Sequence, residues 1–194
     1  MYLEESVTKW KQFQSGNDDA YGWLYTTYIQ ILFGYGLRFT SESEIIKDCI
    51  HDVFIDLYKN KEKLVTPANV KVYLFVSLKN RLVKTLYKHS LFERIDSERV
   101  NFTLETTVEE QFINQEQDQL QQKKIQHILD SLTPRQREII YYRYIQGLTL
   151  DEICIIMDMN YQSAQNLIQR SLKKIKQKYG SVGIFLLLLS ILLK

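Results

Sequence analysis

Three blocks of apolar residues, all within residues 132–178, constrain the fold more than any other part of the sequence. In each block the apolar residues recur three or four positions apart, which places them on one side of an α-helix. The blocks are Ile139, Ile140 and Tyr144; Leu150, Ile153, Ile156 and Met157; and Ala164, Leu167, Ile168, Leu172 and Ile175. This pattern predicts three short helices that bury their apolar stripes against one another.

Start and stop signals flank the first two blocks. Thr133 suits the N-cap of the first helix, with Pro134 at its opening position, and Gly147 suits its end. Thr149 suits the N-cap of the second helix, where Glu152 three residues later would complete a capping box. Both helices are therefore predicted to be short.

The third helix is predicted to begin after Asn160, at residues 161–163, only three or four residues beyond the second. It ends in a basic run, Lys173, Lys174, Lys176 and Lys178. Two helices joined by so short a turn, the second of them basic, are typical of a helix-turn-helix whose last helix meets DNA.

Composition favours an all-α fold in one or two small domains. The chain has 194 residues, 45% of them hydrophobic, and its two prolines and seven glycines are too few for a turn-rich sheet sandwich. Cys49 and Cys154 lie in apolar helical patterns, which favours reduced thiols. The N-terminus lacks the basic opening and apolar run of a signal peptide, so a cytoplasmic location is expected.

Nothing in the sequence indicates an enzyme or a cofactor. The three histidines, His51, His89 and His127, are scattered without the spacing of metal ligands. No nucleophile–base pattern and no glycine-rich phosphate loop is present in the sequence. We therefore expect no catalytic residue, no metal and no cofactor.

Charge divides the chain into three parts and a tail. Residues 1–89 have a net charge of +2, residues 90–122 of −6 and residues 123–179 of +5. A basic module suits a phosphate-binding surface, and the acidic stretch is as typical of a solvated linker as of a functional segment. The predicted domains are residues 1–89 and 123–179, joined by a flexible acidic linker at 90–122 and followed by an apolar tail at 180–194.

The first domain is predicted to contain three helices, at residues 20–39, 43–59 and 70–89. Ser15, Asn17 and Asp18 are candidate caps for the first, whose apolar stripe is Tyr21, Leu24, Tyr25, Tyr28, Leu32 and Phe33. The second would bury Ile46, Cys49, Ile50, Val53, Phe54 and Leu57 and expose Asp48, His51, Asp52, Asp56 and Lys59. Such a charged face is usually just solvated, although it also suits a basic partner.

The third helix of that domain combines basic and aromatic residues. Its predicted apolar face is Val72, Tyr73, Phe75, Val76, Leu78, Leu82 and Leu86, and its outer side carries Lys71, Lys79, Asn80, Arg81, Lys84 and Lys88. The basic residues alternate with Tyr73, Phe75 and Tyr87, a composition that suits phosphate contacts together with base stacking.

Several of these segments resemble sigma factors of the sigma-70 family, extracytoplasmic-function (ECF) type. Residues 16–58 are similar to the family's opening DxxxAFxxLYxxY stretch and its acidic DLVQEVFLRLW helix, which reads DCIHDVFIDLY here. The segment KVYLFVSLKNRLVKTLYK resembles the promoter-melting helix, in the form common in Bacteroidetes members. Residues 132–178 resemble the C-terminal helix-turn-helix domain.

The resemblance implies a non-enzymatic initiation factor that binds core RNA polymerase and promoter DNA. By resemblance, Asp48, His51, Asp52 and Asp56 bind the coiled coil of the largest polymerase subunit, and the polymerase flap is a second contact. The loop at 60–68 and the helix residues Lys71, Lys79, Asn80, Arg81, Lys84 and Lys88 would contact the −10 element. The −35 element would be contacted by Tyr161, Gln162, Ser163, Gln165, Asn166, Gln169, Arg170, Lys173 and Lys174.

The last helix departs from the family pattern. Basic residues that are common at the positions of Gln165, Leu167 and Leu172 are absent, so a weaker phosphate grip is expected. Gln and Asn read adenine, which predicts an A/T-rich −35 preference or recruitment by a further partner. Asp158 replaces the glycine usual in the turn, and Asp tolerates the left-handed conformation better than most residues.

The tail contains twelve consecutive apolar or small residues, 182–193. As a helix it would reach about 18 Å, too short for a hydrocarbon core of about 30 Å. A helix packed on the preceding domain or on a partner protein is predicted, with shallow membrane association as the alternative.

Other functions share part of this pattern. A helix-turn-helix regulator that does not bind polymerase would explain residues 132–178 but not the acidic and basic-aromatic helices before them. A sigma factor recruited to DNA by an accessory partner, and one controlled by an anti-sigma factor, both fit the sequence.

Overall fold

The protein is described by a computed structural model, which covers residues 2–93, 102–103 and 127–192. These residues form helices and connecting loops, which confirms the predicted all-α class. The chain separates into two compact units, Met1–Val100 and Asn101–Lys194. Most of the predicted linker, residues 94–101 and 104–122, lies outside the described residues.

Over residues 2–93 the N-terminal unit has four α-helices: α1 (Tyr2–Gln14), α2 (Asp18–Gly36), α3 (Ser43–Lys59) and α4 (Val70–Glu93). Helix α1 packs on α2 and α4, and α3 packs on both α2 and α4. Of the three predicted candidates, Asn17 is the residue that caps α2. Its Oδ1 accepts a hydrogen bond from the Ala20 backbone N at 2.9 Å. A 3-10 turn at Lys61–Lys63 follows α3.

Burial in this unit follows the predicted stripe most closely on α3. All six residues predicted to face inward there are buried. On α2 the stripe is partly wrong, since Ala20, Tyr35 and Gly36 are buried whereas Tyr21 and Tyr25 are only partly covered. An added Cβ at Gly36 would clash with Ile46 Cγ2, so glycine allows α2 and α3 to approach each other here.

The C-terminal unit is built from α5 (Pro134–Ile140), α6 (Leu150–Met157) and α7 (Tyr161–Leu192), with residues 127–130 also helical. Helix α5 continues into a π-helical turn at Tyr141–Ile145, and α5 and α6 both pack on α7. Phe102, in the predicted linker, is buried with its ring 5.3 Å from that of Tyr141. The tail is helical, and Gly180, at φ 67° and ψ −170°, separates its helix from the preceding part of α7.

The predicted helix ends of this unit are confirmed. Thr133 and Thr149 each form a capping box, the first with Gln136 and the second with Glu152. Gly147 has a φ of 67°, and the Leu148 backbone N donates to the Tyr142 carbonyl at 3.0 Å, which closes the end of the π-helical turn. Within the described ranges, none of the helices combines the length and hydropathy needed to cross a membrane.

Candidate nucleic-acid interfaces

The exposed side of α3 is acidic. Its buried residues occupy one side of the helix, and Asp48, His51, Asp52 and Asp56 are exposed on another. These are the residues predicted to bind polymerase, and the fold places them together on one helix face. In the part of the chain that the structure describes, Asp48 and His51 form no ion pair.

Arg81 of α4 joins this acidic face. One guanidinium nitrogen lies 3.2 Å from Asp52 Oδ2, and the other contacts Asp56 Oδ2. Asp52 and Asp56 are one helical turn apart, so a single planar guanidinium bridges both carboxylates. The sequence prediction placed these three residues on two surfaces, one for polymerase and one for DNA, and the structure connects them.

A cleft of about 420 Å³ opens beside this ion-paired cluster. Its polar wall comprises Asp56, Asn60, Ser77, Asn80, Arg81 and Lys84, and its apolar part comprises Val53, Leu57, Leu64 and Tyr73. Three of the residues predicted to contact the −10 element, Asn80, Arg81 and Lys84, therefore share one concave surface. Lys71, Lys79 and Lys88 do not line it.

The loop between α3 and α4 is attached to α1 at one edge of this cleft. Gln14 donates through Nε2 to the Leu64 carbonyl, and its Oε1 accepts a hydrogen bond from Thr66 Oγ1 at 2.7 Å. Val65, between these two anchors, is 84% exposed. The Asn69 side chain then accepts from the Lys71 backbone N at 3.0 Å, which caps the start of α4. The sequence prediction did not include α1, and hence it missed Gln14.

One aromatic residue that was predicted to suit base stacking has a different role. Phe75 is fully buried and stacks on Tyr35, with ring centroids 4.2 Å apart and planes at 8°. Its ring is therefore committed to the core, and a nucleotide base could not reach it. Tyr73 is partly exposed, packs edge-on against Trp10 and lines the cleft, while Tyr87 is exposed.

The turn before α7 sets the direction of the last helix. Asp158 adopts the left-handed conformation predicted for it, with φ 47° and ψ 62°. Asn160 then caps α7, because its Oδ1 accepts from the Ser163 backbone N at 2.8 Å. Along the helix, Ala164, Ser171 and Ile175 are buried, and these three positions fall on one side.

Most residues predicted to contact the −35 element lie away from that buried side of α7. All nine are exposed or partly exposed: Tyr161, Gln162, Ser163, Gln165, Asn166, Gln169, Arg170, Lys173 and Lys174. Gln162 Nε2 donates to Asn166 Oδ1 at 3.2 Å, so these two amides orient each other. The first two turns of this face carry no ionic side chain, which supports a weak hold on phosphate.

A second cleft, of about 430 Å³, lies between α7 and the start of α6. Gln165, Gln169 and Tyr161 form its α7 side, and Arg143 and Thr149 lie opposite. Arg143 is exposed, and one of its guanidinium nitrogens donates to the Leu148 carbonyl at 2.9 Å. Arg143 is thus a basic group at the recognition face that the sequence prediction did not include. Its basic side chain, four residues before the predicted helix end at Gly147, could have indicated it.

Comparisons with known proteins agree with this arrangement. Residues 122–175 match a family model described as sigma-70, region 4. Among solved structures, CnrH in complex with the cytosolic domain of CnrY is similar, with a TM-score of 0.58 and 17% identity over 88% of this chain and 94% of that chain. The sigma factor RpoE of Bartonella quintana, in complex with the anti-sigma factor NepR, is also similar. Its TM-score is 0.57 and its identity 14%, over 79% of this chain and 92% of that chain. No curated protein matches the sequence significantly.

The fold thus defines a two-unit helical protein of the kind seen in sigma factors, with a helix-turn-helix in its C-terminal unit. The match to region 4 agrees with the resemblance predicted for the helix-turn-helix domain, and the two solved structures share the fold of this chain. Membership of the whole chain in the ECF type is a proposal. The narrower likeness to Bacteroidetes members stays a prediction.

Proposed function

We propose that this protein binds core RNA polymerase through the acidic face of α3 and directs it to promoters. The N-terminal unit melts and holds the −10 element, and the helix-turn-helix contacts the −35 element. It catalyses no reaction itself and acts in the cytoplasm, where the polymerase is. Residues 1–89 and 123–179 are its two working domains.

One observation carries this proposal. The acidic face of α3 and the cleft lined by Asn80, Arg81 and Lys84 lie side by side in one unit. A factor that recruits polymerase and opens DNA needs an anionic face for a basic partner next to a cationic, concave surface for single-stranded DNA. A regulator that binds only duplex DNA requires neither of them.

The proposed −10 contact uses the shape of that cleft. Extruding a base from the duplex costs a few kcal/mol of free energy. Phosphate contacts and a pocket that encloses the base offset this cost. Lys84 supplies positive charge, Asn80 supplies an amide for hydrogen bonding, and Tyr73 supplies a ring. The remaining basic residues of α4, Lys71, Lys79 and Lys88, would contact the backbone of the neighbouring nucleotides.

For the −35 element we propose base readout with a weak electrostatic component. Gln165 and Gln169 face the second cleft, and amide side chains form paired hydrogen bonds with adenine. Arg143, Arg170, Lys173 and Lys174 would contact phosphates at the edges of this face. An A/T-rich site, or a partner that recruits the factor, would compensate for the few phosphate contacts.

The core test is a pull-down of purified core polymerase, followed by transcription in vitro and mapping of start sites. The wild-type chain should bind polymerase, and the D48N/H51A variant should bind at least several-fold more weakly. Glu44→Gln is the matched control on the same helix, since Glu44 is exposed but pairs with Lys47. Failure of the wild-type chain to bind would refute the proposal and favour a polymerase-independent regulator.

The −35 proposal has its own measurement, the salt dependence of duplex binding. Each phosphate contact contributes about 0.9 to the slope of log K against log salt concentration. Gln165→Arg should steepen this slope by about 0.9 if residue 165 faces the backbone or groove as proposed. Start sites that share no −35 sequence would instead indicate recruitment by a partner.

An anti-sigma factor is a further proposed partner. The similar structures hold CnrH with the cytosolic domain of CnrY and RpoE with the anti-sigma factor NepR. By analogy, a partner of that kind would bind this protein and compete with polymerase. The apolar segment 182–193 is a candidate contact for a protein partner, and its deletion tests this without altering residues 123–179.

A further inference from the structure

Arg81 belongs both to the acidic face of α3 and to the neighbouring cleft of the N-terminal unit. Its guanidinium bonds to Asp52 and Asp56 on α3, yet the same residue lines the cleft beside Asn80 and Lys84. In this position its charge points to the acidic face and is neutralised there. A phosphate in the cleft would have to compete with two carboxylates for it.

The ion-paired cluster is partly open to solvent. The side chains of Arg81, Asp52 and Asp56 are 32%, 52% and 55% exposed. Ion pairs with this exposure are held weakly, because water and salt screen the charges. The pairing is therefore one that a competing cation or anion could exchange without first unfolding the unit.

The charges leave the cluster attractive to a basic partner. Two carboxylates share one guanidinium, and Asp48, one turn further along α3, adds another negative charge on the same face. A basic side chain of a partner would therefore be drawn to α3. Once that side chain pairs with Asp52 and Asp56, Arg81 loses its preferred position.

We propose that Arg81 is a switch residue that couples polymerase binding to DNA binding. In the protein alone, Asp52 and Asp56 hold Arg81 and keep its charge from DNA. When basic side chains of the polymerase occupy these carboxylates, Arg81 turns into the cleft and contacts a phosphate. This inference rests on the proposed function, since it takes α3 as the polymerase-binding face.

The test uses the full-length protein without polymerase and a fluorescein-labelled, A/T-rich single-stranded oligonucleotide. Anisotropy is measured over a series of salt concentrations for wild type, R81Q, D52N/D56N and D52N/D56N/R81Q. Asn has the shape of Asp but lacks its charge, so the double variant releases Arg81 with little change in packing. Asp48→Asn is the matched control, because it removes a nearby charge that does not contact Arg81.

The switch predicts a different effect of R81Q on the two backgrounds. In the wild-type background R81Q should change affinity less than about twofold. In D52N/D56N, where one further phosphate contact forms, the salt slope should steepen by about 0.7, and R81Q should remove that increase. Asp48→Asn should raise affinity slightly with no change in slope.

Two results would overturn the switch. One is an equal loss from R81Q on both backgrounds, which would mean that Arg81 already contacts DNA in the free protein. The other is D52N/D56N binding with an unchanged salt slope. Far-ultraviolet circular dichroism of all five proteins, the Asp48→Asn control included, ensures that the comparison is made between folded chains.

A second arm adds core polymerase and separates this inference from the proposed function. With polymerase bound, R81Q should lower promoter binding severalfold even though Asp52 and Asp56 are intact. No effect of R81Q in that complex would refute the switch while leaving the proposed function in place. Absence of polymerase binding by the wild-type chain would refute the proposed function itself.

Discussion

In the N-terminal unit large aromatic rings fill the core between the helices, whereas in the C-terminal unit α5 and α6 are short, capped at their starts and packed largely through aliphatic side chains such as Ile139, Ile153 and Ile175. Trp10, Phe13, Tyr35 and Phe75 are at most 1% exposed and connect α1, α2 and α4. The C-terminal unit also buries Tyr141 and Tyr142, but α6 has only eight residues, and α5 has only seven before it continues into the π-helical turn. Helices that short depend on their terminal hydrogen bonds, so a lost cap should matter more there and a lost ring more in the first unit.

The largest effect is expected from Phe75→Ala in the N-terminal unit. Loss of a fully buried, stacked ring should lower the free energy of unfolding by about 3–5 kcal/mol. Urea unfolding followed by tryptophan fluorescence reports on this unit, since both tryptophans, Trp10 and Trp23, lie in it. Tyr87→Ala is the control, and its cost should be near 0.5 kcal/mol, about the size usual at surfaces. Equal costs would contradict the assignment of Phe75 to the core.

Gly36→Ala should lower the free energy of unfolding by less than Phe75→Ala, because it adds one carbon atom to the core instead of removing a ring. The new Cβ would meet the Ile46 side chain, and overpacking of this kind costs about 1–3 kcal/mol. Gly22→Ala in the same helix is the control, because nothing lies within 4 Å of its added Cβ. That variant should gain about 0.5–1 kcal/mol from helix propensity. A gain from both substitutions would show that α2 and α3 are less closely packed than described.

In the C-terminal unit, Thr149→Ala should cost about 1 kcal/mol through loss of the N-cap of α6. Hydrogen exchange measured by mass spectrometry over residues 150–157 should accelerate, while tryptophan fluorescence of the other unit should not change. Thr149→Ser keeps a hydroxyl at this position and should restore protection. Unchanged exchange in Thr149→Ala would break the contrast between the two units.

The smallest effect is expected from Asp158→Gly, at the turn of the helix-turn-helix. Two effects of this substitution oppose each other. Glycine relieves the left-handed strain, which stabilises the fold by at most about 1–2 kcal/mol. It also adds conformational entropy to the unfolded chain, which destabilises the fold by about 0.4–1 kcal/mol. Since Asp bears less of this strain than most residues, stability should change by less than about 0.5 kcal/mol, measured as hydrogen exchange over residues 150–170. A loss above about 1 kcal/mol would mean that the Asp158 side chain itself stabilises the turn.

The sequence was most informative where one physical rule acts alone. The N-caps at Thr133 and Thr149 were predicted from the residue type and the residue three positions later, and the left-handed conformation of Asp158 depends on its own side chain. The start of α7 after Asn160 was also predicted correctly. The bounds and buried face of α3 were also predicted correctly, because its apolar residues follow the helical period without interruption. Helix α1 was missed, since its sequence is polar on average and the tryptophan and phenylalanine that it buries are too few to form a stripe.

What the sequence could not supply is the pairing of side chains across helices. Arg81 is basic and on the outer side of α4, so a DNA contact was a natural prediction, yet α3 brings two carboxylates to it. Phe75 was assigned both to the apolar face and to base stacking, and only the packing of Tyr35 decides between these roles. In both cases the deciding partner is more than 20 residues away in the chain.

The π-helical turn at Tyr141–Ile145 explains the burial of its tyrosines. Tyr141 and Tyr142 are buried, whereas Tyr144, which was predicted to lie in the apolar stripe, is only partly covered. A π-helical turn holds one residue more than the α-helical turn that it replaces. Relative to a homologue whose helix is α-helical throughout, this chain therefore behaves as though one amino acid had been inserted between residues 141 and 145. Structure-based alignments of such a pair need a one-residue gap there, and Arg143 has no unique counterpart until that gap is placed.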